Sequence, residues 1–245
     1  MGRLVRLCAS LLVPLAVCAC AGSREAAIED AWLEQVYDNG GGKLDTEAVA
    51  LPAAQGRAVR QGDDLIFALA GGKTKTLHND IAGCAHGDAH CDGYRLVADL
   101  PARHFYLVNE YFHEGGDYWL IDDRSGRFIR IDNVPQFSPN GRRFLVEDDD
   151  VAGYHQNDLE IWRREGDGAV LEWGAALTEA DTGVSHQFGP PHSMLLSWQG
   201  DRITLHFITM LNGGPDPNRI VVMQWNGTLT RGADGWHLSV RAPGS

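Results

Sequence analysis

The sequence predicts an all-β fold, an antiparallel meander with one short N-terminal helix. Three observations predict it. From Arg60 onward apolar residues recur with period two, tight-turn signals separate the runs, and 29 glycines stand in 245 residues beside a single good helical pattern. Hydrophobic residues at 44% and charged residues at 22% are ordinary globular values, enough for a sizeable core.

The helical pattern covers 23–38. Ile28, Ala31, Trp32, Gln35 and Val36 fall on one face, Ser23 can cap the start, and Glu25 suits the first turn. Asn39-Gly40-Gly41-Gly42 ends it. The stretch from there to about Val59 is Ala-rich, with Pro52 and Gly56, and reads as a tether or irregular packing.

Strands are expected at 64–69, 94–99, 105–111, 118–122, 128–132, 143–147, 159–163, 170–173, 194–198, 202–208, 220–225 and 235–240. The turns between them are marked by 123–126, Pro139-Asn140-Gly141, Gly166-Asp167-Gly168, Gln199-Gly200-Asp201, Asn226-Gly227 and Asp234-Gly235. Short strands joined by tight turns pair antiparallel, and no long helices intervene to build a parallel sheet.

Before the helix comes an address. Arg3 and Arg6 head an apolar run, 7–19, which is shorter than the roughly 20 residues a membrane span needs. A basic head, a short apolar run and small residues after it describe a secretory signal peptide. The run ends Val17-Cys18-Ala19-Cys20-Ala21, which resembles the lipobox of bacterial lipoproteins, with Cys20 as the lipidated residue. Cys18 departs from the usual small residue at its position. Cleavage after Ala21 is the rival, because Ala19-Cys20-Ala21 also fits the small-x-small rule. The lipobox reading implies a membrane-anchored protein of the cell envelope. Ala21 is not the aspartate that commonly retains a lipoprotein in the inner membrane, so the expected site is the outer membrane, facing the periplasm. The domains are then a signal peptide at 1–19, an anchor, helix and tether at 20–59, and a β domain at 60–245.

Cysteine usage agrees with export. Cys8 and Cys18 leave with the leader and Cys20 takes the lipid, which leaves Cys84 and Cys91. An even remainder in an oxidising compartment reads as one disulfide. The net charge of -12 becomes two units more negative once Arg3 and Arg6 are removed. Such a body repels nucleic acid and anionic lipid, so the expected partner is another envelope protein, and the membrane is reached through the lipid alone.

Three segments share a turn and the strand after it, around Gly62, Gly141 and Gly200. One of them, Pro135-Gln136-Phe137-Ser138-Pro139-Asn140-Gly141-Arg142-Arg143-Phe144, resembles the repeat of TolB-type β-propellers, with Asn140 where an aspartate is usual. With 134 and 145–146 at its ends and the companion hairpin 120–131 before it, the resemblance covers about a tenth of the chain. It implies a small or incomplete β-propeller-like domain and says little of function, since any hairpin can use such a turn.

No catalytic set emerges. The chain has no Gly-x-Ser-x-Gly, and the adjacent pairs Ser185-His186 and His192-Ser193 would point apart on a strand. His78, Asp80, His86, Asp88, His90 and Asp92 match no zinc spacing and read as a solvated loop. Asp148, Asp149, Asp150 and Asp158 are the weak candidates for a metal; their hard oxygens suit calcium, though without EF-hand spacing. No other cofactor is expected. Trp119, Trp162, Trp173, Trp198 and Trp225 lie among alternating aliphatics and read as core. The functional expectation is a non-enzymatic envelope lipoprotein that acts as a binding or scaffold module. The alternatives are a periplasmic hydrolase or sugar-acting enzyme on the same scaffold, and a calcium-stabilised structural module.

Overall fold

The computed structural model describes residues 13–38, 46–80, 93–112, 115–148, 157–177, 192–212 and 220–241. Within them lie two helices, α1 (Val13–Asp38) and α2 (Thr46–Ala53), and fifteen strands in four antiparallel sheets. The predicted all-β class holds.

The first sheet is β1 (Ala58–Gln61), β2 (Asp64–Ala68) and β3 (Thr74–His78). The second is β4 (Gly93–Leu100), β5 (Phe105–Phe112), β6 (Gly115–Asp122) and β7 (Phe128–Ile131). The third is β8 (Gln136–Phe137), β9 (Arg143–Glu147), β10 (Leu159–Glu165) and β11 (Gly168–Ala175). The fourth is β12 (His192–Gln199), β13 (Arg202–Asn212), β14 (Ile220–Gly232) and β15 (Gly235–Arg241). In every sheet the strands neighbour one another in chain order.

Two-residue turns make this order cheap. Gly62-Asp63, Gly166-Asp167 and Gly200-Asp201 each join strands whose flanking residues pair directly. Each opens on a glycine with φ near +60°, the first central position of a type II′ turn, whose twist matches that of the strands.

Three cores hold the sheets in sequence. Leu65 and Phe67 of the first sheet pack with Leu96, Tyr106 and Val108 of the second. Phe105, Leu107 and Leu120 of the second pack with Phe144 and Val146 of the third. Leu145 and Ile161 of the third pack with Ile203, Leu205 and Phe207 of the fourth. The middle sheets are thus buried on both faces. This is why 105–108 and 144–146 read as unbroken apolar runs, with alternate residues serving opposite cores.

Four features differ from the expectations. First, α1 begins at Val13, so Ser23 lies inside the helix and not at its start. Its buried face is Glu29, Leu33 and Val36, with Trp32 half-buried, while Ile28 is 63% exposed. On that inner face Glu29 accepts the Ala102 amide from the β4–β5 loop. Second, the Ala-rich stretch forms α2 and β1, with Ala50, Ala54 and Ala58 buried against the first two sheets. Third, Asn226-Gly227 lies inside β14. There Gly227 faces Leu205, and a Cβ would come within 2.6 Å of the Phe207 ring, so the glycine admits an aromatic neighbour and makes no turn. Fourth, β3 and β8 lack apolar alternation long enough to be read; pairing with β2 and β9 creates them.

Candidate functional site

A cleft of about 290 Å³ opens between α1, α2 and the end of β4. Ile28 and Trp32 of α1, Val49, Ala50 and Ala53 of α2, and Leu100 of β4 form its apolar walls. The Trp32 indole is fixed by its Nε1–H, which donates to the Val97 carbonyl at 2.9 Å. Val49 is 51% exposed, so with Ile28 it places apolar surface at the rim. Glu25, Glu29 and Asp99 also line it, though Glu29 Oε2 and Asp99 Oδ1 are themselves buried.

Glu29 and Asp99 are held from behind by two arginines. Glu29 Oε1 accepts the Ala102 amide at 2.7 Å. Its Oε2 is buried and accepts no hydrogen bond, because Arg103 Nε is 3.7 Å away, beyond hydrogen-bonding reach. Arg103 Nη2 is committed to both oxygens of Asp30, at 2.7 and 2.8 Å. Asp99 Oδ1 lies 3.0 Å from Arg57 Nη1 without hydrogen-bond alignment, and Arg57 Nη2 donates to Asp123 at 2.7 Å. His104 Nδ1 is 3.3 Å from the other Asp123 oxygen. Two arginines therefore serve four carboxylates, with one histidine beside them. Burial pushes Glu29 up to about 7, against the Ala102 amide and Arg103, which favour its ionised form. Burial likewise pushes Asp99 up to about 6, with Arg57 opposing and Asp123 adding to the rise.

The site residues predicted from sequence lie elsewhere. Cys20 falls within α1, and Cys84 and Cys91 lie outside the described residues. Asp149 and Asp150 also lie outside them. Asp148 and Asp158 do meet, through the Asp148 amide and the Asp158 carbonyl at 3.0 Å, and the Asp158 carboxylate accepts the Leu177 amide. Among the described residues no group of three or more His, Cys, Asp or Glu is placed to hold a metal ion. His78 pairs with Asp64 at 2.7 Å, while 86–92 lie outside the described residues. Trp198 and Trp225 are buried core, as expected, and Trp119, Trp162 and Trp173 are half-buried against it. The sequence did carry one mark of the cleft. Glu29 interrupts the apolar repeat of α1 on what proves to be its inner face.

No protein-family model, no curated protein and no solved structure matches this chain. Among the described residues no helix is long and apolar enough to cross a membrane.

Proposed function

We propose that this chain is a lipid-anchored binding module of the bacterial cell envelope, and that the cleft between the helices and β4 is its binding site. The cleft carries the reading. An apolar concavity with a few convergent polar groups is the usual form of a small-molecule site. Glu29 follows Cys20 on the same helix, by about 13 Å at 1.5 Å per residue, so an anchor at Cys20 would present the cleft close to the membrane surface. The four consecutive meanders, packed neighbour to neighbour, are read as blades of a small propeller-like body behind that site. The acidic surface favours a basic envelope protein as scaffold partner.

A second reading is a sugar-acting hydrolase, favoured by the raised Glu29 pKa, which suits a general acid. The walls argue against it, since they offer sugar hydroxyls few partners and burying those unpaired is costly.

The test has two arms. Cys20→Ser should abolish incorporation of labelled palmitate and release the chain from membranes; labelling that persists removes the anchor. Purified chain should bind the neutral apolar alcohol 2-phenylethanol by calorimetry, and Ala53→Trp, which fills the cleft, should abolish the heat. Binding unchanged by Ala53→Trp removes the cleft as the site.

A further inference from the structure

Among the described residues six arginines are not exposed: Arg57, Arg60, Arg103, Arg143, Arg163 and Arg164. The first five form ion pairs with carboxylates. Arg164 of β10 forms none among the described residues. Its guanidinium lies over the Phe105 ring, 4.8 Å from the centroid, and Nη1 makes one long bond to the Gly141 carbonyl at 3.4 Å. Its Nε and Nη2 donate to no described residue, and neither is closed off from solvent. The groups around it do not supply the missing charge. Arg124 Nη2 donates to the Gly166 carbonyl at 2.8 Å, which brings a second guanidinium to the same hairpin end. Asp122 is spent on Arg124 and Ser125 through both of its oxygens, and Asp123 on Arg57, with His104 beside it. Glu165 and Asp167 of the hairpin pair with Arg163 and Arg127, at 3.5 and 3.6 Å. Arg103, which reaches the Ser138 carbonyl of the neighbouring turn, is held by Asp30. Burial pushes the Arg164 pKa down, and the charges of Arg124 and Arg103 add to the fall, with Asp122 and Asp123 opposing. A half-buried cation without a counter-charge is costly. With 33 acidic residues against 21 Lys and Arg, the chain has carboxylates to spare, and it places none on this one.

We propose that the turn end of the β10–β11 hairpin is an anion site, where Arg164 holds two oxygens of a phosphate group through Nε and Nη2 and Arg124 adds charge from beside it. Those two N–H groups lie along one edge of the planar guanidinium, the fork that grips two oxygens of one oxyanion. The Phe105 ring fixes the plane of the fork, so little side-chain freedom remains to be lost on binding. Two guanidiniums favour a dianion over a monoanion. A phosphate monoester loses its second proton near about pH 6 and is doubly charged above it, whereas a carboxylate carries one charge at any pH. The site shares no residue with the cleft lining and stands whether or not the cleft binds.

Calorimetry with the purified full-length chain tests this at pH 8 and low ionic strength, with a detergent blank. Inorganic phosphate and glycerol 3-phosphate should bind saturably, and the tighter of the two should exceed acetate by about tenfold or more, the usual worth of a charge-assisted hydrogen bond. Which phosphate is tighter tells whether the group is taken free or as an ester. Arg164→Gln removes the fork and should weaken phosphate by about tenfold or more. Arg202→Gln removes the same charge from an exposed position on β13 and should weaken it by less than about twofold. No saturable binding of either phosphate overturns the site, as does binding that Arg164→Gln leaves unmoved. Acetate as tight as phosphate overturns the dianion assignment. A measurement on the wild-type chain decides the matter even if the variant does not fold. Phenylglyoxal modifies free guanidiniums, and peptide mass spectrometry locates the product. Phosphate should slow modification at Arg164 several-fold and leave Arg202 unchanged; no protection, or equal protection of both, overturns the site.

Discussion

The carboxylates of Glu29 and Glu172 sit in opposite electrostatic settings. Around Glu29 and its neighbours two arginines serve four carboxylates. Around Glu172 three arginines converge on one. Arg143 donates at 2.6 and 3.2 Å, Arg231 stands at 3.1 Å and Arg163 at 3.9 Å, while the Trp236 indole N–H donates at 3.2 Å. Burial raises the pKa of both. At Glu29 burial wins. At Glu172 the bonds from Arg143 and Trp236 and the charges of Arg143 and Arg231 overcome it, and the pKa ends below the ordinary value. A carboxylate with a surplus of cations ties the third sheet to the fourth. At Glu29 burial outweighs the Ala102 amide and Arg103, so its ionised form contributes little to folding. The contrast separates structural acids from candidate functional ones.

The largest effect expected from breaking this contrast is at Glu172. Glu172→Ala leaves three arginines facing one another with no central anion, and should cost about 3–5 kcal/mol in urea unfolding at pH 7. Because the folded-state pKa is lowered, the stabilisation is complete above the ordinary value of 4.5 and is lost as pH falls through the folded value. The gap between wild type and variant should therefore narrow in acid. A loss that stays constant with pH would mean that Glu172 acts by packing and not by charge.

Glu29→Gln should act in the opposite direction. The folded state holds a proton on Glu29 up to about pH 7, while the unfolded chain loses it near 4.5. Wild-type stability from this group is thus complete below about 4.5 and declines as pH rises to about 7. The variant removes that decline. It should match wild type at pH 4 and exceed it at pH 8 by up to about 3 kcal/mol, at 1.36 kcal/mol per pH unit. A variant less stable than wild type at pH 8 would make Glu29 a stabilising partner of Arg103, and the contrast with Glu172 would fail.

Much of the β architecture was legible because its causes are local. Short unbroken apolar runs mark β5 and β9, and the type II′ glycines at 166 and 200 mark the turns where one strand returns beside the last. The cleft was not legible, because its causes are contacts between distant residues. Glu29 meets Arg103 and Glu172 meets Arg231 only once sheets and helices have packed. No spacing along the chain announces either meeting. Gly227 shows the same limit in reverse. Asn-Gly is a strong local turn signal, and a long-range neighbour, Phe207, gives the glycine another use.

The smallest stability effect is expected at the rim of the cleft, where it sharpens the division between holding the fold and serving the site. Ile28 and Val49 are large apolar residues left 63% and 51% exposed, each beside a fully packed neighbour on its own helix, Leu33 and Ala50. Apolar surface already in water contributes little to folding, so the double variant Ile28→Ser with Val49→Ser should shift unfolding by no more than about 0.5 kcal/mol per site. Leu33→Ala, in the core between α1 and the second sheet, should cost about 2–5 kcal/mol by comparison. Binding should reverse this order. The rim residues form the outer wall of the cleft, so the serine pair should weaken 2-phenylethanol by removing apolar contact area. If the serine pair destabilises the fold as Leu33→Ala does, Ile28 and Val49 belong to the core, and the cleft is a packing defect and not a site.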